Sequence, residues 1–177
     1  MKYLALHHTA VEGNFPQLYA VNRYHKEKWN MISSLGWYVG YNYFCEKNGI
    51  RTNIRAIGEE TIAQKGHNCD IKERCDTISY CWAGDFRVEQ PTEKQKEDFK
   101  NLVTELREKY PDIKVVGHRD LQTDRSCPCL SAEFIDNFNT KGEEEIKSEK
   151  IKELQSIVDL LKILLEKLRS VLSIKYK

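Results

Sequence analysis

Residues 37–58, WYVGYNYFCEKNGIRTNIRAIG, decide how the strands of this protein run. Aromatic and β-branched residues lie on both sides of Asn48-Gly49, a dipeptide that favours the positive φ angles of a tight hairpin turn. This pattern predicts two paired antiparallel strands. A sheet that contains such a hairpin has mixed strand directions, even if its other strands are connected through helices.

Further strand signals occur on both sides of this stretch. Short apolar runs at residues 2–6 and 113–117 are typical of buried strands, and TISYCWAGDF (77–86) has strand character up to Gly84. Residues 59–76 are polar and indicate an irregular loop.

Two amphipathic helices are predicted between the strands. Pro16 supplies a first-turn proline for a helix that runs to about Ser34. Thr92, with Gln95 three residues later, forms a capping-box signature for a helix over 92–109. The alternation predicts an α/β fold with a mixed central β-sheet flanked by helices. Functional groups are expected at strand ends and in the loops that follow them.

The composition limits the classes of function. A chain of 177 residues can form one domain with a core and a modest appendage. Its 28 basic and 27 acidic residues give a formal charge of +1, so we expect no nucleic-acid partner. The N-terminal apolar stretch (3–6) is too short for a signal peptide or a membrane span. We therefore expect cytoplasmic synthesis and reduced cysteines, although Cys69 and Cys75 could close a small loop by a disulfide.

Three side chains, His7, His118 and Cys127, have the chemistry of metal ligands. A catalytic zinc ion takes three protein ligands of nitrogen, sulfur or carboxylate type and leaves one position for water. His7 and His118 follow predicted strands, which could hold the two imidazoles rigidly. Residue types alone leave open the alternative that both histidines are ordinary polar residues.

Seven short motifs follow one another along the chain: LHHTA (6–10), VGYNYF (39–44), GHN (66–68), AGDF (83–86), TEKQ (92–95), GHRD (117–120) and SCP (126–128). In their order and spacing they resemble the zinc-dependent N-acetylmuramoyl-L-alanine amidase family, which includes amidase-type phage lysozymes and peptidoglycan recognition proteins. The resemblance covers about residues 2–138 and implies a catalytic domain over residues 1–139.

The resemblance implies roles for individual residues. His7, His118 and Cys127 would be the zinc ligands, and Tyr41 would be the catalytic tyrosine of the Gly-Tyr-x-x-Phe pattern. His67 would be a groove histidine with either a substrate role or a loop-structuring role.

Aromatic residues could line a substrate groove, although aromatic residues in strands are more often part of the core. The candidates are Trp37, Tyr38, Tyr43, Tyr80 and Trp82. We expect one or two of them, Trp37 among these, to contact sugar rings or the stem peptide. Asp120, close to His118, either orients that ligand or caps a turn.

Two positions depart from the family pattern. The usual Cys-Pro-Gly is Cys127-Pro128-Cys129 here, so Cys129 is an alternative ligand, although Cys127 keeps the expected place before proline. Two residues before Cys127, where related phage enzymes carry a catalytic lysine, this chain has Arg125. A guanidinium stabilises an oxyanion but is a poor proton shuttle. Arg125 is therefore expected to stabilise charge in the transition state, or else to be an exposed loop charge.

The resemblance implies a peptidoglycan hydrolase that uses Zn²⁺ and water to cleave the amide between N-acetylmuramic acid and L-alanine. Because no export signal is apparent, the expected role is that of a phage endolysin that acts on the bacterial cell wall after release. A cytoplasmic amidase that recycles soluble muropeptides and a non-catalytic peptidoglycan-binding module are the alternatives.

The C-terminal region has a different composition. Residues 140–150, TKGEEEIKSEK, are mostly charged and indicate a linker or the first turns of a helix. Over 151–177, apolar residues recur three and four apart, a heptad pattern that predicts a coiled-coil-like amphipathic helix. The heptad residues are Ile151, Leu154, Val158, Leu161, Leu165, Leu168 and Leu172, flanked by Ile157, Leu164 and Val171. We expect this helix to form a homo-oligomer; packing on the catalytic domain or on a membrane surface are the alternatives.

Overall fold

The computed structural model of the protein describes residues 1–65, 76–122 and 124–175. The strands are β1 (Tyr3–His8), β2 (Tyr43–Cys45), β3 (Arg51–Asn53), β4 (Thr77–Trp82) and β5 (Lys114–Gly117). The helices are α1 (Leu18–Trp29), α2 (Ile62–Lys65), α3 (Glu93–Lys109), α4 (His118–Leu121) and α5 (Ala132–Lys175). The predicted α/β fold, a mixed sheet flanked by helices and followed by a C-terminal helix, is confirmed.

The described strands form a five-stranded sheet in the order β3-β2-β4-β1-β5. β1 runs parallel to both β4 and β5, and β2 runs parallel to β4, whereas β2 and β3 are antiparallel. Parallel neighbours end at the same edge of a sheet. In the register of β1 and β5, Leu6 pairs with Gly117, so His7 and His118 come next at that edge.

The hairpin predicted around Asn48-Gly49 is confirmed by the antiparallel pairing of Phe44 with Thr52. In its turn, the backbone N–H of Gly49 donates to the carbonyl of Glu46 at 2.9 Å, and Gly49 has a φ of 84°. Glycine adopts this positive φ without a steric penalty. The hairpin therefore forms one edge of the sheet and gives it mixed strand directions.

Both faces of the sheet are covered. All six residues of β4 are buried, as expected for a central strand that packs on both sides. Tyr80 and Trp82 lie in the larger core cluster together with Phe99 of α3. Cys81 lies in the smaller cluster together with Leu18 of α1. Because Tyr80 and Trp82 are fully buried, these two aromatic residues belong to the core and do not line a groove.

The first helix is shorter than the predicted helix over 16–34, because α1 covers only Leu18–Trp29. The Glu46 carboxylate, which follows β2, accepts hydrogen bonds from the backbone N–H of Gln17 and of the first helical residue, at 2.8 Å each. At the other end, Asn30 has a φ of 49°, and this left-handed conformation terminates the helix. A carboxylate 28 residues away thus sets the start of α1.

α3 begins as predicted. The Thr92 hydroxyl accepts a hydrogen bond from the backbone N–H of Gln95, and the Gln95 side chain accepts one from the backbone N–H of Thr92. Of the loop predicted over 59–76, residues 62–65 form α2, and residues 66–75 lie outside the described part of the chain.

The chain divides into two compact units, Met1–Asn139 and Thr140–Lys177. Residues 140–150, interpreted above as a charged linker or the first turns of a helix, are helical as part of α5. In the second unit, apolar side chains between residues 151 and 165 are 43% to 64% exposed. Within the described ranges, no helix combines the length and the apolarity needed to cross a membrane.

Candidate active site

His7, His118 and Cys127 lie together at the sheet edge where β1 and β5 end. One potential ligand atom from each lies within 4.8 Å of the others. The Cys127 Sγ is 4.0 Å from the Nδ1 of His7, and the ring centroids of His7 and His118 are 4.5 Å apart. The fold therefore brings together residues that are up to 120 positions apart in the sequence.

The two histidines are held by different elements. His7 belongs to β1 and is only 1% exposed. His118 begins α4 directly after β5, and its Nε2 lies 3.0 Å from the Oε1 of Gln122, one helical turn later. With the Nε2–H donating to this amide oxygen, Nδ1 carries the lone pair of the neutral ring. Gln122 thereby orients the ring of His118 and favours the tautomer whose Nδ1 carries the lone pair.

Cys127 is held by the loop that follows α4. Its carbonyl accepts a hydrogen bond from the backbone N–H of Arg119 at 2.8 Å. The next residue, Pro128, packs so closely on the end of β5 that a Cβ added at Gly117 would lie 2.9 Å from the proline Cδ. A glycine immediately before His118 therefore leaves the space in which the Cys127 loop packs.

Burial sets the protonation of the groups at this site. Burial lowers the pKa of His118, so the ring is held in the neutral form that binds a metal. Burial raises the pKa of the Cys127 thiol to about 12, and a nearby cation is what favours its thiolate. Burial also raises the pKa of Tyr41 well above its ordinary value, so this phenol keeps its proton at neutral pH.

This donor set fits a zinc ion. Two imidazoles and one thiolate are typical zinc ligands, and three protein ligands leave the fourth position open for chemistry. Tetrahedral bonds of about 2.0–2.3 Å place two ligand atoms roughly 3.3–3.8 Å apart. The separation of 4.0 Å between the Cys127 Sγ and the His7 Nδ1 is close to this range.

Tyr41 lies beside the three candidate ligands. Its ring centroid is 5.1 Å from that of His7 and 5.9 Å from that of His25 in α1. From Tyr41 a cleft of about 420 Å³ extends along α1. It is lined by Thr9, Val11, Phe15, Gln17, Ala20, Val21, Tyr24, His25 and Tyr41. Tyr41 is thus the residue of the candidate site that borders this cleft.

Other predicted residues lie around this cluster. The Asp120 carboxylate accepts a hydrogen bond from the backbone N–H of Gly117 at 2.7 Å, so it caps the turn at the start of α4. Cys129 has its Sγ 3.8 Å from the Nε2 of His8 and lies outside the three-residue cluster. Arg125 is exposed, with its Nε 3.9 Å from the Asp124 carboxylate.

The two residues predicted to bind substrate are placed differently. Trp37 is partly buried against the smaller core cluster, with its ring centroid 5.8 Å from that of Tyr19. His67 lies outside the described residues, as do Cys69 and Cys75.

Two residues of this region were not predicted from the sequence. Gln122 contacts His118, and its position four residues later on a helical turn is a signal that could have indicated this contact. The Nδ1 of His25 accepts a hydrogen bond from the backbone N–H of Gly40 at 2.9 Å, directly before Tyr41. No short-range pattern links these last two segments.

A mixed α/β sheet with two histidines and a cysteine gathered where parallel strands end defines an α/β protein with a zinc-type donor set. The family follows from comparison with known families. Residues 1–129 match the model of the N-acetylmuramoyl-L-alanine amidase family Amidase_2, and the chain belongs to this family. The family resemblance found in the motifs is thereby confirmed. No curated protein sequence matches the chain significantly.

Solved structures with the same fold include bacterial, phage and insect proteins. The N-acetylmuramoyl-L-alanine amidase LysC from Clostridium intestinale URNW is 22% identical with a TM-score of 0.54, covering 76% of this chain and 82% of LysC. The Ph2119 endolysin from the Thermus scotoductus MAT2119 bacteriophage is 20% identical with a TM-score of 0.55, covering 77% of this chain and 82% of the endolysin. A Drosophila PGRP-LB mutant in complex with tracheal cytotoxin is 18% identical with a TM-score of 0.57, covering 71% of this chain and 73% of PGRP-LB.

Proposed function

We propose that this protein is a zinc-dependent peptidoglycan hydrolase that cleaves the amide between N-acetylmuramic acid and L-alanine. The observation that carries this proposal is the cluster of His7, His118 and Cys127 within 4.8 Å, beside Tyr41, in a chain of the amidase family. His7, His118 and Cys127 would hold the ion. Bound there, Zn²⁺ would polarise the scissile carbonyl as a Lewis acid and lower the pKa of water to about 7.

The side chains around the ion would act on charge that develops in the reaction. Water adds to the amide carbonyl, the C–N bond breaks, and a proton goes to the amine of L-alanine. Tyr41 keeps its phenolic proton and donates a hydrogen bond to the oxyanion. Such a donor contributes about 3–4 kcal/mol in well-studied hydrolases. Arg125, a permanent cation two residues before Cys127, would supply further positive charge.

The substrate would lie in the cleft along α1. Phe15, Val21 and Tyr24 offer apolar and aromatic surface, on which sugar rings and the apolar parts of a stem peptide can pack. Trp37 and His67 remain our candidates for further contacts with the sugar or the stem peptide.

The C-terminal helix would join copies of the chain. Its exposed apolar residues are Ile151, Leu154, Ile157, Val158, Leu160, Leu161, Ile163, Leu164 and Leu165. Full burial of one Val, Leu or Ile side chain stabilises by about 1.5–3 kcal/mol. At 25 cal/mol per Å², this corresponds to about 60–120 Å² of apolar surface. Because the nine are 43% to 64% exposed, their burial would remove about 300–600 Å² per partner from water, toward the roughly 800 Å² of a stable interface. A homo-oligomer would present several catalytic units to a polymeric wall and raise avidity.

The biological role that we propose is that of a phage endolysin, which reaches the cell wall after release. The fold shared with LysC and with the Ph2119 endolysin supports this role. An amidase that recycles soluble muropeptides would use the same bond chemistry, so only substrate preference separates the two roles.

Purified cell wall, the full chain and mass spectrometry of the products test the proposal. We expect glycan that retains its lactyl groups and free peptides that begin with alanine. Chelation should abolish the release of peptides, and added zinc should restore it. Hydrolysis that persists after verified metal removal, or cleavage at another bond, would contradict the proposal. Faster hydrolysis of soluble muropeptides than of intact wall would favour the recycling role.

A further inference from the structure

The loop that carries Cys127 touches β1 at two points. On one side, the Cys127 Sγ is 4.0 Å from the Nδ1 of His7. On the other side, the Cys129 Sγ is 3.8 Å from the Nε2 of His8. Successive residues of a strand project to opposite faces. Two adjacent histidines therefore contact two cysteines that flank a single proline.

The backbone at Cys129 is in a conformation that suits glycine better than cysteine. Its φ is 65°, in the left-handed region, where a residue with a Cβ carries a steric penalty of about 1–2 kcal/mol. Glycine at this position would adopt the same φ without that penalty. The cysteine side chain therefore contributes contacts that glycine lacks, at the expense of an unfavourable backbone.

The partner of this thiol is itself firmly held. His8 is 8% exposed, and its Nδ1 accepts a hydrogen bond from the backbone N–H of Phe86 at 3.1 Å. Since Nδ1 is an acceptor, the proton of the neutral ring is on Nε2, which faces the Cys129 sulfur. The imidazole also stacks on Phe86, with ring centroids 5.6 Å apart. On the loop side, the Cys129 Sγ contacts the Ser126 Oγ at 3.6 Å.

We propose that Cys129 is a positioning residue: its contact with His8 anchors the loop so that Cys127, and not Cys129 itself, is presented to the metal beside His7. This inference rests on the proposed metal centre. It explains why a second thiol two residues from a candidate ligand lies outside the three-residue cluster. It assigns to His8, the neighbour of a candidate ligand, a role on the opposite face of the strand.

The test uses the full chain with zinc titrated against a chromophoric chelator, and with cobalt as a spectroscopic substitute. In Cys129→Gly, we expect zinc affinity to fall about tenfold, as for the loss of an outer-sphere partner. The thiolate-to-cobalt charge-transfer band should keep its full intensity per bound ion, because Cys127 remains the only thiolate ligand. Cys129→Ser, which keeps a small polar side chain, should recover part of the affinity. Cys127→Ser should lose the band.

Stability gives a readout of opposite sign. Cys129→Gly removes the left-handed penalty, so the metal-free variant should unfold at the same or a higher urea concentration while its zinc affinity falls. If Cys129 had a merely structural role, the substitution would lower both the urea concentration of unfolding and the zinc affinity. His8→Asn keeps an acceptor for the Phe86 N–H but removes the Nε2 that contacts Cys129. Because His8→Asn and Cys129→Gly remove the same contact, their effects on zinc affinity should not add in the double variant.

Three results would overturn the inference. Unchanged zinc affinity in Cys129→Gly would show that the contact positions nothing. A charge-transfer band weakened by half or more in that variant would make Cys129 a ligand. If the unsubstituted chain binds neither zinc nor cobalt, the proposed metal centre fails together with this inference, whereas the first two results leave the metal centre intact.

Discussion

Burial shifts the protonation equilibria of two residues of the candidate site in the same direction, but with different consequences. Tyr41 and Cys127 are both weak acids, and burial raises the pKa of each. For the phenol, this preserves a hydrogen-bond donor beside His7. For the thiol, it makes the ligand form depend on groups that offset the desolvation of a thiolate, namely a bound cation, the backbone N–H of His8, and the charges of Arg119 and Arg125. The same burial therefore serves two different chemical roles.

Tyr41→Phe should separate catalysis from metal binding. The ring and its packing remain, but the oxyanion loses a donor, so we expect kcat to fall by about 10²–10³-fold. Zinc content should not change, because the phenol is not among the candidate ligands. Tyr19→Phe is the matched control, since Tyr19 is 75% exposed, and it should keep its rate. An unchanged kcat in Tyr41→Phe would reduce this tyrosine to a packing residue.

Gly117→Ala should disturb the Cys127 loop through one methyl group. Gly117 has a φ of −82°, which alanine adopts readily, so the effect is steric. The new Cβ would lie 2.9 Å from the Pro128 Cδ and 3.0 Å from the Ile135 Cδ1. We expect a loss of about 1–3 kcal/mol in the free energy of unfolding, measured in urea, together with weaker zinc binding.

Gly36→Ala provides the comparison for this substitution. A Cβ at Gly36 meets nothing within 4 Å, and its φ of 84° is the source of the expected destabilisation. This variant should lose stability but keep its zinc affinity. If Gly117→Ala also keeps full zinc affinity, the packing of Pro128 on β5 does not position Cys127.

Between elements, the site depends on a contact that links α1 to the segment before β2. His25 of α1 accepts the backbone N–H of Gly40, and the next residue is Tyr41. Burial, with smaller contributions from Arg55 and Lys28, lowers the pKa of His25 to about 4. Protonation would remove the acceptor and place a charge beside two cations. The neutral ring is therefore the form that holds the Gly40 backbone.

Stability should fall in acid because of His25. In the folded protein its pKa is about 4, below the ordinary value of 6.5. The contribution of His25 to the free energy of unfolding is therefore complete above pH 6.5 and is lost as the pH falls toward 4. The full shift corresponds to about 3 kcal/mol as an upper estimate. Urea unfolding at pH 7 and at pH 4.5 measures the loss. His25→Asn, which can accept the same N–H but does not titrate, should lose less between the two pH values; an equal loss would exclude His25 as the cause.

Across the whole molecule, the two compact units differ in how they use apolar residues. In Met1–Asn139 the large apolar side chains of the core are buried, as Trp82 of β4 and Phe99 of α3 illustrate. In Thr140–Lys177, residues such as Leu154 and Leu161 are about 60% exposed. A helix with a continuous apolar face requires a partner in water. Self-association satisfies this requirement without another protein.

The oligomeric state of the full chain tests that idea. Multi-angle light scattering should give a mass above that of one chain. Leu161→Lys with Leu165→Lys places two charges in the apolar face and should yield monomers. Gln155→Lys with Ser156→Lys adds the same charge at exposed polar positions and should keep the oligomer. A monomeric mass for the unsubstituted chain would contradict the proposed self-association.

Local and periodic patterns in the sequence determined much of this fold. The Asn48-Gly49 hairpin, the capping box of Thr92 and Gln95, and the strand before His118 were predicted because each depends on residues that are near one another in the chain. Each of the ordered motifs is likewise a short stretch of neighbouring residues, and together they indicated the amidase family. They also proposed His7, His118 and Cys127 as a set, although spacing alone does not establish that three such residues meet.

Only the tertiary structure decided which atoms lie together across long separations. It joined Glu46 to the start of α1, shortening that helix, and it assigned Asp120 to a turn and Gln122 to His118. It also separated Cys127 from Cys129, which the sequence leaves as alternatives, by directing one sulfur to each side of β1. The physical reason is that sheet register and loop packing, and not sequence distance, set the few ångströms within which a hydrogen bond or a metal ligand acts.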